Sequence, residues 1–223
     1  MSSLPTMEVF QDLSFTPPDR NAAALRALLL ANTRTPWYHD TETESRIIGA
    51  KLTASEGMIA FKRERDGIAE AAIMTLWPNG SGGFKVTNIV PRETHSLSEQ
   101  EYNAVLRDFT ERVVKVASPD STIDLSPDRQ SPLNWTSKSA ADALWHFSIS
   151  ANKSTGTAHP SDQQTWMHFL VTEYKTGHAD LTPSRLAHWL AKAASWPDDV
   201  AQDLAIEFET AIALLKYYDE HRE

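Results

Sequence analysis

At 223 residues and 24.9 kDa the chain is long enough to bury a full core, as one large domain or two small ones. It contains no cysteine, which excludes disulfides, thiolate metal sites, iron–sulfur clusters and a cysteine nucleophile, and leaves only His and carboxylates for a metal. A formal net charge of -9 makes an extended phosphate backbone a poor ligand, because nucleic-acid affinity rests on Lys and Arg displacing counterions.

The opening "MSSLPTMEVFQDLSF" has no basic start and no apolar run of signal length, and no segment approaches the roughly 18 apolar residues of a membrane span. The expectation is a cytoplasmic protein with no membrane partner. The acidity is uneven: residues 1–118 carry thirteen Lys/Arg against fifteen Asp/Glu, whereas residues 119–223 carry eight against fifteen. Two surfaces of different character follow.

In chain order, "PPDRNAAALRALLLANT" predicts a helix from about Asn21 to Asn32, with Leu25, Leu28 and Leu29 at helical spacing. The polar "TRTPWYHDTETES", interrupted by Pro36, reads as a loop, with strand material beginning near Arg46. Three strands are then expected. The first alternates through Met58 to Arg63, Asp66-Gly67 supplies a two-residue hairpin, the second runs from Ile68 to Trp77, and the third from Phe84 to Val90.

Between the last two lies "PNGSGG", the only dense glycine run in the chain. A phosphate-cradling glycine loop leads from a strand into a helix, whose free amides hold the anion. Here strand leads to strand, so the run reads as a turn.

Ser98 and Glu101 form a capping box for a helix with an apolar stripe through Tyr102, Val105, Leu106, Phe109, Val113 and Val116. Ile123 and Leu125 mark a short strand, and Ser139 with Asp142 caps a short helix holding Leu144 and Phe147. "SANKSTGTAHP", Ser150 to Pro160, is small and polar and reads as a linker.

Three helices are expected beyond it. Ser161 and Gln164 cap the first, Thr182-Pro183 opens the second, and Pro197 with Asp198 and Asp199 opens the third. The apolar positions of the third (Val200, Leu204, Phe208, Ala211, Leu215, Tyr218) have heptad-like steps that serve either a bundle or a homodimer seam, and the bundle is the favoured use. The predicted fold is therefore α+β: an N-terminal antiparallel β-meander packed by helices over residues 1–150, a linker over 151–160, and a small acidic three-helix bundle over 161–223.

Few residues point to chemistry. His39 and Asp40, in a polar loop with Tyr38, Thr41 and Glu42, are the enzyme-like pair, since a carboxylate orients an imidazole and supports its charge. No nucleophile elbow, zincin or calcium-loop pattern completes a constellation, the other histidines are scattered, and no metal or cofactor is expected. Arg63 and Arg65 in "FKRERDG" share a strand face that would grip a carboxylate or phosphate, unless they are a solvated hairpin end. Trp77, at a strand end, is a candidate partner anchor, and Asp203 and Glu207 lie on the acidic outer face of the last helix.

The favoured function is a non-catalytic protein-binding module for a basic protein partner, of the kind an antitoxin or immunity protein presents. The alternative is a small α+β enzyme, acyltransferase-like or nucleotide-acting. That plan wants a glycine-bearing strand-to-helix turn, and "VPRETHSLSEQ" has no glycine. The third is a DNA-binding regulator built on "TGHADLTPSRLAHWL", where only Arg185 and Lys192 are available between Leu181 and Ala194 to meet phosphates.

Overall fold

The computed structural model describes residues 4–50, 57–93, 95–178 and 180–221. The fold is α+β, an antiparallel sheet packed by helices followed by a helical bundle. Two compact units divide between Asp128 and Arg129, one spanning Glu8–Asp128 and the other the residues from Arg129 together with those up to Met7.

β1 is the short strand Met7–Glu8; in the first unit β2 (Leu13–Thr16) precedes α1 (Ala22–Asn32), whose N-cap Asn21 accepts from the Ala24 amide at 3.0 Å. Leu25 and Leu29 of α1 face the core, while Leu28 is exposed. The segment expected as a loop holds β3 (Trp37–His39) and α2 (Thr41–Gly49), so Arg46 is helical and no strand begins there. Two things make this helix: Asp40 caps it on the Thr43 amide at 3.1 Å, and Glu42 and Glu44 sit in its first turn, near its positive end. Asp40 is also fixed from behind, because its own amide donates to the Ala60 carbonyl at 2.8 Å.

β4 (Ile59–Arg63), β5 (Ala72–Pro78) and β6 (Phe84–Pro91) form the expected antiparallel meander. They belong to a six-stranded sheet of order β3-β4-β5-β6-β2-β7, with β7 at Thr122–Leu125. Ile59, Phe61, Met74, Leu76, Phe84 and Phe15 share one core with Leu25 and Leu29 of α1 and with Val105, Leu106 and Phe109 of α3 (Glu99–Phe109). Phe109 packs edge-on against Trp37 at 5.0 Å and close to Phe61 at 5.2 Å.

The Ser98–Glu101 capping box is present at the start of α3. A π-turn over Thr110–Val114 continues α3 into the short α4 (Lys115–Ala117). The extra residue in that turn shifts the helical phase, so Val113 and Val114 both enter the core and Val116 is exposed.

The β4–β5 connection corrects the expected two-residue hairpin: it runs over residues 64–71, and β5 begins at Ala72, not Ile68. The cause is Arg63, 0% exposed, around which the connection is wrapped. Its guanidinium donates to the Glu64 carbonyl at 2.9 Å, to the Ala69 carbonyl, and to Asp66 at 2.6 Å. Asp66 in turn accepts from the amides of Ile68 at 2.9 Å and Ala69 at 3.1 Å.

The β5–β6 connection is the glycine run, and it is a turn between strands. Asn79 closes it by accepting from the amides of Ser81 at 2.9 Å and Gly83 at 3.0 Å. The last two glycines are required by close approach. A Cβ at Gly82, whose φ is +85, would lie 2.1 Å from the Arg20 carbonyl oxygen, and one at Gly83 would lie 2.0 Å from that of Phe15.

The second unit begins with β8 (Arg129–Gln130) and a 3-10 turn at Pro132–Asn134, then α5 (Lys138–Ser150), α6 (Pro160–Thr176), α7 (Pro183–Lys192) and α8 (Asp198–Glu220). The three expected helices are α6, α7 and α8, and α5 packs against α6 within the same unit. The caps of α5 and α6 differ from expectation: Ser137 caps α5, and His159 caps α6 ahead of Pro160. Thr182 and Pro197 stand where expected, at the starts of α7 and α8.

Residues 151–159 are folded turns, not a free linker. Asn152 donates its amide to Asp162 at 3.0 Å and accepts from the Gly156 amide at 3.0 Å, while Lys153 reaches the Ala194 carbonyl. A ladder of rings holds the bundle: Phe147 stacks on Trp196 at 5.2 Å and meets Trp166 at 4.8 Å, and Phe169 stacks on Phe208 at 6.1 Å.

Candidate functional site

The largest cavity, about 490 Å³, is a groove within the helical unit. The last turn of α6 supplies Glu173 and Tyr174, the following loop His178 and Leu181, and α8 supplies Phe208, Glu209, Ile212 and Lys216. Gly177 ends α6 and donates its amide to the Glu173 carbonyl at 2.7 Å. Any larger residue there would collide with the acid, since a Cβ would lie 2.1 Å from Glu173 Oε1.

Glu173 is 6% exposed, and its Oε2 accepts from the Thr136 hydroxyl. Burial pushes its carboxyl up from the ordinary value, partly offset by the Thr136 hydrogen bond and by the nearby His178. Tyr174 donates its hydroxyl to Asp219 at 2.6 Å, tying α6 to the far end of α8.

Past Phe208, α8 lines the groove through Glu209, Ile212 and Lys216 but adds nothing to the fully buried core. Its buried residues are Ala201, Leu204, Ala205 and Phe208, and after Phe208 none is buried. Residues 211–218 read Ala-Ile-Ala-Leu-Leu-Lys-Tyr-Tyr, apolar or aromatic except for Lys216; Ala211, Ile212 and Leu215 are half-buried, yet Leu214, Tyr217 and Tyr218 are 65%, 61% and 60% exposed. Apolar side chains so clustered on a helix are ordinarily buried. The heptad-like stripe closes the bundle through Leu204 and Phe208, while in its second half Ala211 and Leu215 are half-buried and Tyr218 is exposed.

Asp203 and Glu207 are both exposed and one turn apart, and at helical spacing their face continues through Ala211, Leu214 and Tyr218. Over its whole length α8 carries seven carboxylates against one lysine. Glu207 also lies 3.3 Å from the Thr157 hydroxyl.

The other residues singled out in the sequence lie in the sheet unit and do not form one site. Arg63 is consumed internally: beyond its loop contacts, its Nε donates to Asp108 at 2.9 Å, Asp108 also accepts from Trp37 Nε1 at 2.8 Å, and the guanidinium lies 5.9 Å over the Trp37 ring. It is thus not a free grip for an anion. Arg65 is half exposed but paired with Glu70 and, at 3.4 Å, with Glu93. Trp77 is half-buried in β5, opposite Lys85.

His39 holds Glu44 at 2.6 Å, and Glu44 is also paired with Arg26. Asp40 is committed to capping α2. Burial opposes its charge, but the amide and hydroxyl of Thr43 and the charge of Lys62 outweigh that and lower its carboxyl. A smaller polar cavity of about 290 Å³ beside it is lined by Asp40, Glu42, Thr43, Arg46, Lys62 and Arg92.

Among the described residues no three His or carboxylate side chains are placed to hold a metal ion, and no helix is long and apolar enough to cross a membrane. The groove had one signal in the sequence: Glu173 stands three and four residues beyond Leu170 and Phe169, an acid on the apolar face of α6. Compared with protein-family models, with curated proteins and with solved structures, the chain matches none.

Proposed function

We propose that this chain is a non-catalytic protein-binding module whose last helix engages a basic protein partner, in the manner of an antitoxin or immunity protein. The observation that carries the reading is the second half of α8, which exposes Leu214, Tyr217 and Tyr218 on a helix with seven carboxylates and one lysine. Apolar area supplies affinity and the surrounding carboxylates select the sign of the partner, as in helix-in-groove recognition. Burying Leu214 and one tyrosine ring alone would contribute about 1.5–3 kcal/mol each.

The test uses two synthetic amphipathic helical peptides of equal length, one of Leu and Lys, the other of Leu and Glu, titrated against the full chain by fluorescence anisotropy. The Leu/Lys peptide binds, binding weakens as salt is raised, and Leu214→Asp reduces it about tenfold or more although it adds negative charge. Equal binding of both peptides, or no loss in Leu214→Asp, contradicts the proposal.

A further inference from the structure

The groove beside α8 has a feature that a general acidic surface does not need. Glu173 is buried to more than nine-tenths, and among the described residues only one of its oxygens has a hydrogen-bond partner: Oε2 accepts from Thr136, whereas Oε1 accepts none. A carboxylate in that position is costly unless a cation completes it. Within the protein Glu173 forms no ion pair with the described residues, and His178 supports it only through space. The groove also offers what the stem of a long cationic side chain needs, an apolar wall of Phe208 and Ile212, with the exposed Glu209 at the rim.

We infer that the groove is a specificity pocket for one arginine or lysine side chain of the partner, its charged head meeting Glu173 and Glu209 and its alkyl stem lying on Phe208 and Ile212. This rests on the reading of the chain as a module for a basic partner and adds which atom reads the charge. Gly177 belongs to the same device. A Cβ there would lie 2.1 Å from Oε1, the oxygen without a hydrogen bond among the described residues, so only glycine leaves the acid where it stands. Lys216, the groove's only Lys or Arg, is exposed and bonded to none of the groove's acids.

The probe is the Leu/Lys peptide in two versions, with arginine or with its neutral isostere citrulline at the central position, titrated against the full chain and its variants. Wild type prefers the arginine peptide by about tenfold, and Glu173→Gln brings the two peptides level while circular dichroism and the thermal midpoint show the bundle intact. Glu209→Gln, at an exposed position that folding does not depend on, reduces the preference as well. Equal affinity of the two peptides for wild type overturns the pocket and leaves the module reading standing, as does a preference that survives both substitutions. Failure of either peptide to bind contradicts the module reading and the pocket with it.

Discussion

Asp66 shows how far one side chain can organise a loop. It takes a hydrogen bond from the buried Arg63 and two more from backbone amides, and Arg63 in turn satisfies two carbonyls of the same connection. The Arg63 hydrogen bond, helped by the amides of Ile68 and Ala69 and opposed by desolvation, holds the Asp66 carboxyl at about 2, below its ordinary 3.8. A folded value below the unfolded one means stability that is fully present above the unfolded value and lost as pH falls through the folded one. The urea midpoint is therefore expected to fall between about pH 4 and about pH 2, and Asp66→Asn should start lower at neutral pH and flatten that part of the curve. A wild-type slope unchanged by the substitution would place the acid sensitivity elsewhere.

At the scale of elements, α2 and α8 are the instructive pair. The expected loop over "TRTPWYHDTETES" is a strand followed by a helix, because Asp40 acts as a cap instead of a free acid and only Thr43 of α2 is buried. With so narrow a buried stripe, periodicity gives no warning; the cap and the acidic first turn were the only local signals. Replacing Asp40 by Ala is expected to cost about 0.5–2 kcal/mol of stability in urea melts, the range for loss of an N-cap. A substitution without effect on the melt would return Asp40 to the list of groups free for chemistry.

The meander, the glycine turn, the Ser98 capping box and the starts of α7 and α8 were legible, because turn residues and caps act locally. The connection around Arg63 was not, since its partner Asp108 lies 45 positions away. The phase shift in the π-turn was equally hidden, because it takes effect only where the continuation of α3 meets the core. Asp203 and Glu207 are legible as acids on the outer face of the last helix, and the apolar positions of α8 as a heptad-like stripe. What no periodicity reveals is which half of such a stripe is buried in the core of its own chain. The groove acid Glu173 had a signal, an acid on an apolar face, but its open oxygen depends on Thr136 and Gly177 folding around it.

For the whole molecule, the net charge of -9 is concentrated in the part that also exposes the most conspicuous apolar helix. The sheet unit spends its buried ions on its own loops, whereas α8 carries seven carboxylates and exposes Leu214, Tyr217 and Tyr218 in its second half. The central claim is that this half of α8 is the binding surface. Hydrogen exchange of the full chain, with and without the Leu/Lys peptide, tests it most directly. In the free chain the amides of residues 211–220 exchange faster than those of 201–208, which pack in the bundle, and the peptide protects 211–220 together with the end of α6 around Glu173. Protection confined to the sheet unit, or none on α8, would contradict the account.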